Sequence, residues 1–373
     1  MRWSTSFWMS VAHTAVTIAI MAICVASSAS GAPPWDVRAD GEISLKRNSN
    51  LQLVDDNAFG SKDDELTEVH GSLSARGHLA GWRVDSQVSG LGNLHHTHSG
   101  ENWYFARSRL GLQRGLGAGT AEISNETRSY ALPDRNEFDF LRNVLQLSYR
   151  HSLAEDRWQL RGGYANIHTR YPNRSVFNYT VHGTLLEIRR RWGYDLTGFA
   201  QVDIQRYVGS ATPSELVASP RDGQRYGLRL GGDGLFAGRH SLSIIYTFQS
   251  DEADLGVKRI GDPDNPESTQ DIEAEFDLDK HKVAIHYGVP LSKRWLFSNY
   301  TEWIKKNFDN EIDVADPFRG RRDTLLLSTL HLRYKLNSTW SVKLRYLYRS
   351  NDANIARSDY TAHLISIGLH WQR

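Results

Sequence analysis

The segment Asp359–Arg373, DYTAHLISIGLHWQR, makes every second residue apolar from Ile365 onward: Ile365, Ile367, Leu369 and Trp371. The residues between them, Ser366, Gly368 and His370, are small or polar. Strict alternation marks an extended strand with one apolar face. What that face touches decides the fold, so the question passes to the rest of the chain.

The alternation recurs from residue 41. Expected strands lie at 41–52, 65–78, 80–92, 102–114, 117–129, 139–152, 156–169, 178–192, 193–207, 222–235, 238–251, 270–289, 293–308, 321–336, 338–350 and 359–372, about sixteen in all. No amphipathic helix interrupts them. Their connections alternate in length. LAG, GLGAG, SLAEDR, WGYD, LFAGR, PLSKR and LNST are short and carry the Gly, Asn and Ser of hairpin turns. DDNAFGSKDDE, GNLHHTHSGEN, LPDRNEF, YPNRSVF, GSATPSELVASPRDG, SDEADLGVKRIGDPDNPESTQ, NEIDVADPFRG and SNDANIARS are long and polar. Short turns at one end of every hairpin and long loops at the other form the pattern of an outer-membrane barrel, with the short turns periplasmic. A soluble sandwich or propeller also spaces its strands evenly, but its strands run about 5–6 residues. A tilted membrane strand needs about 9–11 residues in the hydrocarbon alone. The expected fold is all-β: a transmembrane, antiparallel, up-and-down barrel.

One parity of each segment is apolar and ends in aromatics. Examples are Trp340, Val342, Leu344, Tyr346 and Tyr348; Leu242, Ile244, Tyr246 and Phe248; and Leu330, Leu332 and Tyr334. Trp82, Trp158, Trp192, Trp295 and Trp340 sit beside short turns, which suits a periplasmic aromatic girdle. The other parity is polar and rich in arginine: Arg107, Arg109, Arg142, Arg150, Arg161, Arg189, Arg191, Arg225, Arg229, Arg333, Lys343, Arg345 and Arg349. Asp85, Glu122, Glu126, Glu187 and Asp203 share it. A cation facing lipid at mid-membrane costs roughly 2–4 kcal/mol, so this face is expected to line an interior. Two readings of that interior stand: a lumen braced by arginine–carboxylate ladders, and a basic conduit for anionic solutes. About sixteen strands leave room for an aqueous channel. The apolar parity shifts near Asp279–His281, where a bulge is expected.

The 373 residues carry 44 Lys and Arg against 43 Asp and Glu, so no net basic footprint for nucleic acid exists. Mean hydropathy is low, which a barrel wall also gives, because its two faces cancel. Arg2 and the apolar run Val11–Ala26, followed by SSASGA, read as a secretory signal peptide. The expected division is signal peptide 1–31, periplasmic N-terminal segment 32–40 and barrel 41–373. The single cysteine, Cys24, falls in the signal peptide, which leaves no disulfide in the mature chain.

His95, His96 and His98 cluster in NLHHTHSG, but without zinc-site spacing; a loop tip is the expected role, and no metal or other cofactor is assigned. The acidic loops depart from EF-hand spacing. G-x-S-x-G, H-E-x-x-H and P-loop motifs are missing, so no enzyme is expected and no catalytic residue is assigned.

Ser366, Gly368 and Trp371 resemble the C-terminal sorting signal of bacterial outer-membrane proteins, polar-x-Gly-x-x-aromatic; the following Gln372 and Arg373 depart from it. RNSNLQLVDDNAF near the start and WSVKLRYLYRSNDANIARSDYTAHLISIGLHW at the end resemble the first and last hairpins of exopolysaccharide-operon outer-membrane barrels. The ending also resembles the barrel of surface lipoprotein assembly modifiers. These resemblances imply residence in the outer membrane of a Gram-negative cell, among lipid and lipopolysaccharide, after delivery by the barrel assembly machinery. They further imply export of a polysaccharide, with help from a periplasmic export partner. The expected function is a passive channel with a basic lumen for an anionic solute or polysaccharide. A non-conducting structural or adhesion barrel with binding loops is the alternative, and an outer-membrane barrel enzyme is a third reading.

Overall fold

Alternating strands joined by tight turns pair with their sequence neighbours, and enough of them curl until the last meets the first. The computed structural model has this form. It describes residues 35–49, 63–97, 102–133, 139–154, 157–173, 175, 178–193, 195–209, 223–253, 257–260, 272–275, 278–308, 320, 322–354 and 359–373. The strands are β1 Asp36–Asn48, β2 Asp64–Leu79, β3 Trp82–His95, β4 Trp103–Leu116, β5 Gly119–Ala131, β6 Phe140–Leu153, β7 Trp158–Arg170, β8 Tyr179–Trp192, β9 Leu196–Gly209, β10 Gly223–Phe236, β11 His240–Ala253, β12 Val257–Ile260, β13 Ile272–Glu275, β14 Leu278–Pro290, β15 Trp295–Phe308, β16 Arg322–Lys335, β17 Trp340–Ala353 and β18 Tyr360–Gln372. Sixteen of them form one closed barrel in chain order, and β12 and β13 make a separate two-stranded sheet. Closure is by β1 against β18, from Asp40 opposite Gln372 to Asn48 opposite Leu364.

Short turns set the hairpins. Ala80 and Gly81 between β2 and β3 both have positive φ, as do Ala237 and Gly238 between β10 and β11. That backbone twist matches the twist of the strands it joins.

Most of the large exposed apolar strand side chains, among them Ile43, Leu45, Leu186, Ile204, Leu344, Ile365 and Ile367, fall on one parity and point outward; Leu235 and Leu296 are inward exceptions. Trp82, Trp158, Trp192, Trp295, Trp340 and Trp371 share that face at the short-turn end. Arg190 is held there between Trp158 and Trp192, 4.9 and 5.1 Å from their ring centres. Polar outward residues satisfy one another. Asn125 donates to Asn143 at 3.1 Å, Asn143 to Thr127 at 3.0 Å, and Thr301 meets Ser328 at 3.1 Å. An apolar outer wall whose polar groups are paired is what a hydrocarbon surround requires.

Three expectations need correction. The barrel starts at Asp36, before the expected 41, and β1 pairs with β2 from Asp36 opposite Arg76; residues 36–40 are strand rather than periplasmic segment. The expected strand 270–289 is two, β13 and β14. No bulge occurs at Asp279–His281, since β14 runs in unbroken register with β11. Asp279 and His281 face outward instead, where His281 Nδ1 lies 2.8 Å from the Tyr246 hydroxyl. The expected signal peptide, most of the long loops and His98 lie outside the described residues.

Candidate functional site

Among the described residues the inward face is the one rich in charge along the wall, and the register sets many of its arginines in rows. Arg107, Arg128 and Arg142 stand opposite one another across β4, β5 and β6. Arg150 opposes Arg161, Arg333 opposes Lys343, and Lys280 opposes Lys306. Arg109 opposes Glu126, Arg189 opposes Phe199, and Arg191 opposes Thr197. Arg225 and Arg229 lie on β10 opposite Gln205 and Gln201. Arg345 and Arg349 lie on β17 opposite His331 and Leu327. All thirteen basic residues expected to share a face therefore do so. Arg38, Lys46, Arg76, Arg83, Arg128, Lys280, Lys282 and Lys306 join them; their parity was the available signal.

Like charges directly opposed destabilise a strand pair, and carboxylates relieve part of that here. Glu126 takes both Arg107 and Arg128. Arg225 donates to Asp251 through Nε and Nη2, one edge of its guanidinium, the second bond at 3.0 Å. Asp85 takes Arg76 and, at 3.2 Å, Arg83. Glu68 holds Lys46, and Glu302 holds Lys282 at 3.0 Å. Contacts are looser for Arg189 with Glu187, 3.5 Å, and Arg109 with Glu122, 3.9 Å. Arg150 and Arg229 make no ion pair with a described residue. Nε of Arg107, of Arg161 and of Arg189 is buried and makes no hydrogen bond with a described residue. The inward face is thus braced in part by ion pairs, and several of its arginines have no ion pair among the described residues.

Aromatic residues on the same face escaped the sequence reading. Trp103, Tyr130, Phe140, Tyr171 and Tyr179 form a buried cluster with Leu132 and Val181 at the long-loop end of β4–β8. Tyr130 stacks on Phe140 with ring centres 5.5 Å apart. Guanidiniums lie over other inward rings: Arg225 over Tyr207 at 5.1 Å and Arg349 over Tyr360 at 5.5 Å. On the closing side, a cavity of about 560 Å³ is lined by Lys46, Glu68, His70, Tyr300, Arg345 and Ser366 among others.

Of the histidine cluster, His95 is buried, with Nδ1 2.8 Å from Asp64, and His96 Nε2 meets the Thr67 hydroxyl at 3.0 Å. Each is occupied by its own partner. Ser366 and Gly368 face inward, and Trp371 faces outward opposite Trp340. Gly368 lies between Ser44 of β1 and Lys343 of β17, under the ion pair that Lys343 makes with Glu42.

No protein-family model matches the chain, and no curated protein matches it in sequence. Solved structures do match in fold. OmpT lacking loop L8, an outer membrane protein of Vibrio cholerae, aligns at TM-score 0.52 and 12% identity over 91% of this chain and 99% of its own. Pseudomonas aeruginosa OccK2 in complex with glucuronate aligns at TM-score 0.52 and 11% identity over 91% and 96%. The chain has the fold of outer-membrane β-barrels.

Proposed function

We propose that the protein is a passive outer-membrane channel whose arginine-lined lumen carries anionic solutes. The observation that supports this most directly is the set of inward rows in which arginine faces arginine, Arg107–Arg128–Arg142 and Arg150–Arg161. Bracing alone needs one carboxylate for each cation, and the wall carries cations beyond that. A ring of basic groups around water attracts anions and lets them pass among several weak sites. The resemblance of the first and last hairpins makes an acidic polysaccharide the cargo class to test first. Lipopolysaccharide around the wall, the assembly machinery and a periplasmic export partner belong to the same proposal.

The test is a reversal potential across planar bilayers with a salt gradient. Anion selectivity is expected, and changing Arg107, Arg109, Arg225 and Arg229 to Gln should reduce it severalfold. A cation-selective pore, indifferent to those four changes, would end the reading.

A further inference from the structure

We propose that Phe199, Arg189 and Arg229 form a lumenal subsite for an acidic pyranose, a uronate residue within a saccharide. The proposal rests on the channel reading and names what the channel holds. Phe199 is an inward residue of β9, opposite Arg189 of β8 and Gly231 of β10. A Cβ at position 231 would fall 2.7 Å from Phe199 Cζ, so the ring rests on bare backbone. The guanidinium carbons of Arg229 and Arg189 lie 5.4 and 5.7 Å from the ring centre. The result is a half-buried aromatic platform on a glycine floor, with a cation within reach on each neighbouring strand.

The donors of this platform are only partly consumed by the protein. Arg229 makes no ion pair or hydrogen bond with a described residue, and Nε of Arg189, buried 3.5 Å from Glu187, makes no hydrogen bond with a described residue. Glu187 lies 3.5 Å from Arg189, and Asp203, inward on β9 and diagonal to Arg229, offsets part of the charge of Arg229 and Arg225, so the group carries at most one net positive charge. That charge matches one carboxylate better than a doubly charged phosphate. Gln201 of β9 opposes both Glu187 and Arg229, and these residues supply acceptors and donors for hydroxyl groups. The C–H face of a pyranose needs an apolar ring, its hydroxyl rim needs mixed polar groups, and its carboxylate needs a guanidinium. A uronate uses all three. Acetate uses only the last and a neutral sugar only the first two.

The test is calorimetric titration of the whole chain, folded in detergent, with tri-galacturonate, maltotriose, acetate and adenosine monophosphate. Tri-galacturonate should bind at least about tenfold tighter than any of the others. Phe199→Ala and Phe199→Leu should each weaken it about tenfold, Phe199→Trp should retain it, and Arg229→Gln should weaken it at least as much. Folding of each variant is checked by its heat-dependent gel mobility, and Phe199→Leu keeps apolar volume if Phe199→Ala does not fold. Equal binding by wild type and Phe199→Leu would overturn the subsite, and so would tighter binding of the nucleotide. The wild-type reversal potential separates the two proposals. Anion selectivity without preference for tri-galacturonate removes the subsite alone, whereas cation selectivity removes the channel reading.

Discussion

At the scale of the residue, Gly368 shows how one missing side chain closes the barrel. It is inward, opposite Ser44 and Lys343, at the seam between the first strand and the last. A Cβ there would lie 2.8 Å from Ser44 Cβ and 3.1 Å from the Ile43 carbonyl oxygen. The carbonyl belongs to the seam backbone, so it yields only if the pairing does. Gly368→Ala is expected to cost about 1–3 kcal/mol, the range for overpacking. The measurement is the urea midpoint of purified chain refolded in detergent, where no assembly machinery is present. A lowered midpoint assigns Gly368 a role in the folded seam, and an unchanged one confines it to recognition during assembly. Gly90→Ala is the control, because the nearest atom to a Cβ there is the Phe105 carbonyl oxygen at 3.9 Å.

At the scale of the element, most strands were legible because period-two alternation and glycine-bearing turns agree. β1 was placed late because Asp36, Arg38 and Asp40 alternate only with Val37 and Ala39, which give no large apolar stripe. The segment 270–289 read as one strand because Phe276 and Leu278 carry the alternation across the point where β13 gives way to β14. Cross-strand partners were not legible, since they depend on register, and a slip of one residue exchanges the faces. Register is what gives Glu126 its importance. It is the shared acceptor for Arg107 and Arg128 in a row that continues to Arg142. Glu126→Gln would leave three cations opposed on β4–β6, and a loss of about 1–3 kcal/mol is expected for unpairing charge-assisted hydrogen bonds. Adding Arg128→Gln removes the middle cation and should recover part of that loss. Urea midpoints of the two variants and the wild type check the order, and a double variant weaker than Glu126→Gln would contradict it.

At the scale of the whole molecule, the sorting of apolar and basic residues to opposite faces could be read from parity alone. The way the inward cations are shared with carboxylates could not, because bracing and conduction draw on the same arginines. The closed sixteen-stranded wall turns those arginines into a single field. A barrel of this size encloses water, so in the proposed channel the cations that line it would act on a passing ion across solvent and be open to screening. The Debye length falls from about 10 Å at 0.1 M salt to about 3 Å at 1 M. If selectivity comes from the summed field, the reversal potential at a fixed concentration ratio should shrink toward zero as both baths are raised over that range. Arg107→Gln, Arg109→Gln, Arg225→Gln and Arg229→Gln combined should flatten the same curve at its low-salt end. Selectivity that holds unchanged to 1 M would instead place discrimination in direct contacts, where an ion sheds water against a guanidinium and distant charge counts for little.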